Sequence, residues 1–319
     1  MHAVASRFAR VRALELSPAA FRRVSLAAAL ALWIVVTTGA AVRLTGSGLG
    51  CEHWPGCTAG NPFPERGYHS VVEFSNRVVA FVTICLTLAA WLAARRTSGL
   101  PRWATRLALG LFVGTLAQAP LGYITVKLKL HPLIVMTHLL LSMVVLAAGV
   151  VLLLEALGLE LGHAPAFVSR RFQRLWLGFA AATFALIVSG TFATAAGPHS
   201  GGDHVKRFGT FQTSLHVHAY VVAAFTFTGL CAFAWLGVQS HWFTPRLLRV
   251  AQVALGLLAL QIAIGEIQYR THLPWPLVLT HVAVSAAVWA FVVALAVLFV
   301  RPLAPLAPAR GQAATRIAE

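Results

Sequence analysis

The chain has 319 residues, of which 58% are hydrophobic and only 11% are charged, and its mean hydropathy is +0.77. These values exclude an ordinary soluble domain of this length and indicate an all-α integral membrane protein, whose main solvent is the lipid bilayer. The net charge of +16 does not indicate nucleic-acid binding, because the 25 Lys and Arg residues stand beside the apolar runs and not along one basic surface.

Eight apolar stretches are long enough to cross the membrane, since a spanning helix needs about 20 mainly apolar residues. Of the 25 Lys and Arg residues, 17 fall on the side of the two termini. This excess of positive charge predicts a multi-pass protein of the cell membrane with both termini in the cytoplasm. The predicted spans are 25–42, 71–93, 104–124, 132–154, 174–195, 212–236, 247–267 and 276–300.

Residues 1–155 and 156–319 carry the same pattern twice, which predicts two four-helix bundles. Because four spans separate equivalent points, both halves run through the membrane in the same direction, as a parallel repeat. The matched patterns are Gly39-x6-Gly46 with Gly190-x6-Gly197, Gln118-x3-Gly122 with Gln261-x3-Gly265, and Thr137-His138-x3-Ser142 with Thr280-His281-x3-Ser285.

Polar and ionisable residues stand near the outer ends of the even-numbered spans. Such residues are costly inside a membrane and are functional candidates by default. Each lies within about two turns of its predicted helix start, so they share a similar depth. Neutral imidazole binds haem iron, and histidines from two facing helices can hold a porphyrin between them. The candidates are Glu73, Asn76 and Arg77 on the second span, His138 on the fourth, His216 and His218 on the sixth, and His281 on the eighth.

The two halves differ in their candidate iron ligands. In the second half His281 can pair with either His216 or His218, but residues two apart point to nearly opposite sides of a helix. Asn76 and His138 are 62 residues apart, His218 and His281 are 63 apart, and His216 and His281 are 65 apart. The repeat therefore favours His218 and leaves His216 as the second choice. In the first half His138 faces Asn76, a poor ligand, so iron there either keeps an open position or takes His69 from the helix start.

Three further residues beside these sites have two interpretations each. Glu73 lies one turn before Asn76, where it either relays protons and positions substrate or forms a salt bridge to Arg77. Arg43 and Arg77 lie at the outer rim, where they either pair with haem propionates or extend to the membrane interface.

The four cysteines fall into two groups. Cys51 and Cys57 lie six residues apart in the first outer loop, where an oxidising compartment allows a disulfide. Cys85 and Cys231 fall inside apolar runs and are predicted to be small core residues.

The first outer loop and second span carry a family resemblance. The segment from Thr45 to Cys51, reading Thr-Gly-Ser-Gly-Leu-Gly-Cys, is followed by Trp54-Pro55-x-Cys57 and then by Glu-Phe-Ser-Asn-Arg at 73–77. Together with the eight spans and the histidines on spans four, six and eight, this pattern resembles haem A synthase over nearly the whole chain. Asn76 departs from the pattern, because many members have Glu-x-x-His-Arg with histidine at this place.

The resemblance implies that haem O is oxidised at a methyl group to give haem A, with molecular oxygen and an external electron donor. It implies haem O near Glu73, Asn76 and His138, and a haem B cofactor with its iron on His218 and His281. The loop cysteines match the family's disulfide pair. Haem O synthase, a farnesyltransferase, and cytochrome oxidase assembly are the implied partners.

Two other functions fit the same spans. A membrane dihaem b-type electron-transfer cytochrome would use the histidines without converting haem O. A transporter would use the parallel repeat, and it would carry a substrate without bound haem.

Overall fold

The computed structural model describes residues 15–61, 63–64, 67–199, 207–240 and 243–308. Within these residues eight helices are long and apolar enough to cross a membrane, which confirms the predicted spans and the all-helical fold. They are α1 (Pro18–Leu44), α2 (Tyr68–Arg96), α3 (Arg102–Lys127), α4 (Pro132–Leu161), α5 (Arg170–Ala196), α6 (Phe211–Val238), α7 (Pro245–Arg270) and α8 (Trp275–Val300).

The helix ends follow from local sequence signals. Ser17, Ser169 and Thr244 each cap a helix, since the hydroxyl of each accepts a hydrogen bond from a backbone N–H of the first turn. Proline stands at the start of α1, α4 and α7, where a missing N–H costs nothing. These caps stand before the predicted apolar stretches, so the helices begin earlier than those stretches and include polar residues at their ends.

The first four helices form a closed bundle in which α1 packs against α2 and α4, and α3 packs against the same two neighbours. In the second half α5 packs against α6 and α8, and α7 packs against α8. Within the described residues α6 and α7 do not pack against each other to a comparable extent. The second bundle is therefore more open on one side than the first.

Helices α1, α4, α5 and α8 join the two halves. Two tryptophans hydrogen-bond across this interface: the indole N–H of Trp33 donates to the carbonyl of Ala283 at 2.9 Å, and that of Trp289 donates to Met143 at 2.8 Å. The connection between the halves is the segment 162–169, so the sequence division at 155 falls inside α4. Because buried indole N–H groups require partners, these bonds fix how the halves meet.

At the C-terminal end of α4 a carboxylate is buried between basic neighbours. Glu155 is only 4% exposed and accepts two hydrogen bonds of 2.8 Å from Arg301, just past the end of α8. His163 lies 3.3 Å from the same carboxylate, and the Arg301 guanidinium lies 5.8 Å from the ring centre of Trp103. The hydrogen bond to Glu155 raises the pKa of Arg301, so the guanidinium keeps its charge.

Some sequence expectations are corrected or lie outside the described residues. Cys85 and Cys231 are exposed and not part of the core, because the small side chain sits on the outward face of its helix. Some of the basic residues counted for the predicted orientation lie outside the described ranges, namely Arg7, Arg10, Arg12, Arg310 and Arg316 on the side of the termini and Arg66 and Lys206 on the other side.

Replacing Arg301 with Gln is expected to lower the free energy of unfolding by about 1–3 kcal/mol, because the buried Glu155 loses its bidentate partner. Thermal unfolding of the purified protein in detergent measures this change. Arg22→Gln is the matched control, since its pair with Glu160 is about one-third exposed on both sides and contributes under about 1 kcal/mol. Equal shifts for the two variants would contradict the prediction.

Candidate functional site

A cavity of about 580 Å³ lies inside the first bundle. All four helices of that half line it, and Val278 and Val282 of α8 and Thr194 of α5 close the side toward the second half. This volume is typical of a cofactor or small-molecule site. The cavity contains the predicted site residues Arg43, Glu73, Asn76, Arg77 and His138 on its walls.

Asn76 and His138 face the cavity from α2 and α4. The Oδ1 atom of Asn76 accepts a hydrogen bond of 2.7 Å from the hydroxyl of Thr38 on α1. The Nδ1 atom of His138 is buried and has no hydrogen-bond partner among the described residues. A buried polar atom without a partner is uncommon, and it marks a position where a ligand would restore the missing interaction.

The second half places two histidines at the matching positions. His218 on α6 shares a hydrogen bond of 2.8 Å between its Nδ1 and the hydroxyl of Ser189 on α5. The Nε2 atom of His281 on α8 lies 3.0 Å from the side-chain amide nitrogen of Gln261. Like His138, His281 has a buried Nδ1 without a partner among the described residues.

Glycines give these side chains room in both halves. A Cβ atom at Gly190 would lie 3.3 Å from the His218 ring, and one at Gly265 would lie 3.2 Å from the His281 ring. At the equivalent first-half positions, a Cβ atom at Gly39 would lie 4.0 Å from the Asn76 side chain, and one at Gly122 would lie 3.8 Å from the His138 ring. An added Cβ would therefore crowd the histidine ring at Gly190 and Gly265, whereas it would make ordinary van der Waals contact at Gly39 and Gly122.

The hydroxyl partners are themselves related by the repeat. Ser189 occupies in α5 the place that Thr38 occupies in α1, each one residue before the matched glycine. Asn76 and His218 therefore share one structural position. His216 lies outside it: its side chain is exposed and lies within hydrogen-bond reach of Gln212 on the same helix.

Glu73 and Arg77 hold the first outer loop, residues 45–57, over the cavity. Glu73 is only 4% exposed; one carboxylate oxygen accepts the backbone N–H of Cys51 at 2.9 Å and the other accepts Arg77. Arg77 also donates to the loop carbonyls of His53, Pro55 and Gly56. The salt bridge considered from sequence is thus present, and it holds the loop onto α2.

The loop itself is closed by a disulfide between Cys51 and Cys57, which confirms the predicted disulfide. Trp54, at the tip, packs on Tyr123 of α3 with ring centres 5.6 Å apart, and it forms part of the cavity wall. His69 is exposed in the first turn of α2, hydrogen-bonds to Ser47, and does not line this cavity.

Arg43 reaches from the first half toward the second. Its Nη2 donates to the carbonyl of Thr194 at 3.0 Å, while its Nε is buried without a partner among the described residues. Thr194 is the repeat counterpart of Arg43 in α5. Because Arg77 is occupied by Glu73 and the loop, Arg43 retains the free donor that an anionic group at the outer rim would use.

The residues at both sites fit haem. Each half has a histidine with an unpartnered buried nitrogen, glycine clearance beside it and a second polar side chain on the facing helix. Sequence reasoning missed the hydroxyls of Thr38 and Ser189. The repeat could have predicted them, since each hydroxyl residue directly precedes one of the repeated glycines, Gly39 and Gly190.

Eight spanning helices among the described residues, in two similar halves with a candidate site in each, define a multi-pass membrane protein. The COX15-CtaA family, described as "Cytochrome oxidase assembly protein", matches residues 22–68 and 63–293. The chain belongs to this family.

Curated relatives are named "Heme A synthase". The chain is 31% identical to the one from Bacillus pumilus over 181 residues, which cover 54% of the chain and 58% of the relative. It is 35% identical to the one from Symbiobacterium thermophilum over 122 residues, covering 37% and 39%. The Shewanella oneidensis relative is 32% identical over 124 residues, covering 34% and 37%. These alignments span less than two thirds of each relative's length.

Replacing Arg77 with Ala is expected to loosen the outer loop, because the donors to three loop carbonyls and to buried Glu73 are lost. Amide hydrogen exchange in residues 45–57 should become about tenfold faster or more. Arg270→Ala serves as the control, since its pair with Glu266 is mostly exposed. Unchanged hydrogen exchange in the loop of the Arg77 variant would show that the hydrogen bonds of Arg77 are not needed to hold the loop.

Proposed function

We propose that this protein is a haem A synthase, an enzyme that oxidises a methyl group of haem O to a formyl group. Membership of the COX15-CtaA family and the names of the relatives support this proposal. The observation that carries it is the asymmetry of one shared position, where Asn76 stands in the first half and His218 in the second. An incomplete ligand pair beside a cavity suits a reacting haem, and a complete pair suits electron transfer.

The second half, 156–319, binds haem B between His218 and His281 in this proposal. Ser189 holds the Nδ1 atom of His218 and so leaves Nε2 available to the iron. His281 has an unpartnered Nδ1, while Gln261 steadies the other side of its ring. The haem, when bound, supplies one-electron transfer.

The first half, 1–155, binds the substrate haem O in its cavity. His138 takes the iron on one side, and Asn76, held by Thr38, leaves the other side open. Arg43 binds a propionate through its free Nε, with Arg77 as the alternative partner. Glu73 is the only carboxylate among the described lining residues, so it is the candidate for moving protons to the site.

The reaction balances as two hydroxylations followed by loss of water. Each hydroxylation converts a C–H bond to C–OH, takes one O2, two electrons and two protons, and releases one water. The resulting geminal diol loses water to give the formyl group. The electrons come from an external donor and reach the first half from the second.

The setting follows from the same proposal. The positive-inside rule puts both termini in the cytoplasm and the outer loop with its disulfide outside the cell membrane. Haem O synthase would supply the substrate, and cytochrome oxidase assembly would use the product.

His138→Ala is expected to abolish conversion of haem O to haem A while the second-half haem B remains bound, because only the first site loses its ligand. Pigment extraction after expression with a haem O supply measures the product. His131→Ala, at the start of α4 and outside the cavity, is the control and should convert haem O normally.

Wild-type rates in the His138 variant would refute the site assignment. Reversible haem reduction in the wild-type protein without any haem A would favour the b-type electron-transfer cytochrome instead. A purified protein with no visible haem absorption would favour the transporter.

His218→Ala is expected to remove the haem B absorption of the second half, whereas His216→Ala should keep it. The reason is that His218 shares the position of Asn76 inside the bundle and His216 is exposed. Visible spectra of the two purified variants decide between them. Loss of haem B in the His216 variant alone would reverse the assignment.

A further inference from the structure

The floor of the first-half cavity differs from the matching region of the second half. Thr83 on α2 lies seven residues inward of Asn76, and Thr115 on α3 lies three residues inward of Gln118. Both threonines line the cavity. Their hydroxyls donate to carbonyls of their own helices, at Val79 and Leu111, so the floor presents mainly methyl groups.

The repeat pairs these threonines with large apolar residues. Seven residues inward of His218 stands Phe225, and three residues inward of Gln261 stands Leu258. Phe225 is 7% exposed and its ring stacks on Phe179 with centres 4.9 Å apart. Leu258 is buried in the same aromatic core. The space that is open below the first site is therefore filled below the second.

Other positions around the floor differ in both directions. Ala80 is matched by the larger Val222, whereas Ile84 is matched by the smaller Thr226. The threonine-to-phenylalanine difference adds four side-chain atoms at one place. Phe81, which also lines the cavity, is matched by the smaller Ala223, but Phe81 is 66% exposed. Among the buried positions, those of Thr83 and Thr115 gain bulk in the second half, as Phe225 and Leu258.

We propose that the floor around Thr83 and Thr115 accepts the isoprenoid tail of the substrate haem, and that Phe225 and Leu258 exclude such a tail from the second half. This inference rests on the proposed function. Haem O carries its hydroxyethylfarnesyl chain on the side of the macrocycle away from the propionates, and haem B carries a vinyl group there. With propionates at Arg43 on the outer rim, the tail points inward.

The dimensions of the cavity agree with this orientation. Seven residues of helix separate Asn76 from Thr83, which corresponds to about 10 Å along the axis. The macrocycle below its iron takes up part of that distance, and the rest admits the start of the chain. The lining there is apolar, so burying a hydrocarbon tail is favoured by roughly 25 cal/mol for each Å² removed from water.

The test compares binding of two haems to protein that already holds haem B in its second half. A further equivalent of haem O or of haem B is titrated, and the visible spectrum reports binding in the first half. Thr83→Phe is expected to weaken haem O binding about tenfold or more while haem B binding changes little. Thr115→Leu should act in the same direction with a smaller effect.

Two control variants introduce a phenylalanine next to each threonine in sequence but outside the cavity floor. Val82→Phe and Leu116→Phe lie next to the two threonines in sequence, but both side chains are exposed on the outer surface. Neither should change the ratio of haem O to haem B affinity. Retained second-half haem B shows that each variant is folded; if Thr83→Phe loses it, the smaller Thr115→Leu decides the question.

Equal weakening of both haems in the floor variants, or no weakening of haem O, would overturn the tail assignment. Such a result would leave the proposed function intact if the wild-type protein still converts haem O to haem A. Failure of the wild-type protein to convert haem O would instead refute the proposed function itself.

Discussion

Lipid offers no hydrogen-bond partner to the polypeptide, and the rest of this structure depends on that constraint. Backbone groups must be satisfied within each span, so the chain crosses the membrane only as helices. Every polar side chain at depth needs its own partner, and most are bonded to a neighbouring helix or back to their own. Among the described residues, the buried atoms that lack a partner include those of His138, His281 and Arg43 at the candidate sites, where a ligand would supply one, and also others away from these sites, such as those of Ser25 and Trp176.

Duplication then sets the geometry of both sites. A hydroxyl from the first helix of each half holds the side chain from the second, as Thr38 holds Asn76 and Ser189 holds His218. Because the hydroxyls of Thr38 and Ser189 are equivalent, Asn76 and His218 occupy the same structural position although their side chains differ in chemistry. The two candidate sites thus differ at this one position, which is Asn76 in the first half and His218 in the second.

The outer loop connects the first site to the membrane surface. Glu73 and Arg77 are part of the cavity wall, yet their bonds run to the backbone of the loop closed by Cys51 and Cys57. Glu73 and Arg77 both line the cavity and hold the loop above it, so they couple the loop to the cavity. The loop therefore belongs to the site as much as the helices do, and its glycine-rich start lets it pack closely: a Cβ at Gly50 would lie 2.5 Å from the backbone of His69.

The sequence by itself determined the eight spans and predicted the duplication and the outer-loop disulfide, because hydrophobic length and repeat spacing are local properties. It left His216 and His218 as alternatives, and it predicted that Cys85 lies in the core. Only the tertiary structure decided that His216 and Cys85 point outward, since the face a helix presents depends on the neighbours it packs against. The bond from Glu73 to Cys51 and the filled space at Phe225 likewise depend on contacts between distant segments, which no spacing along one chain reveals.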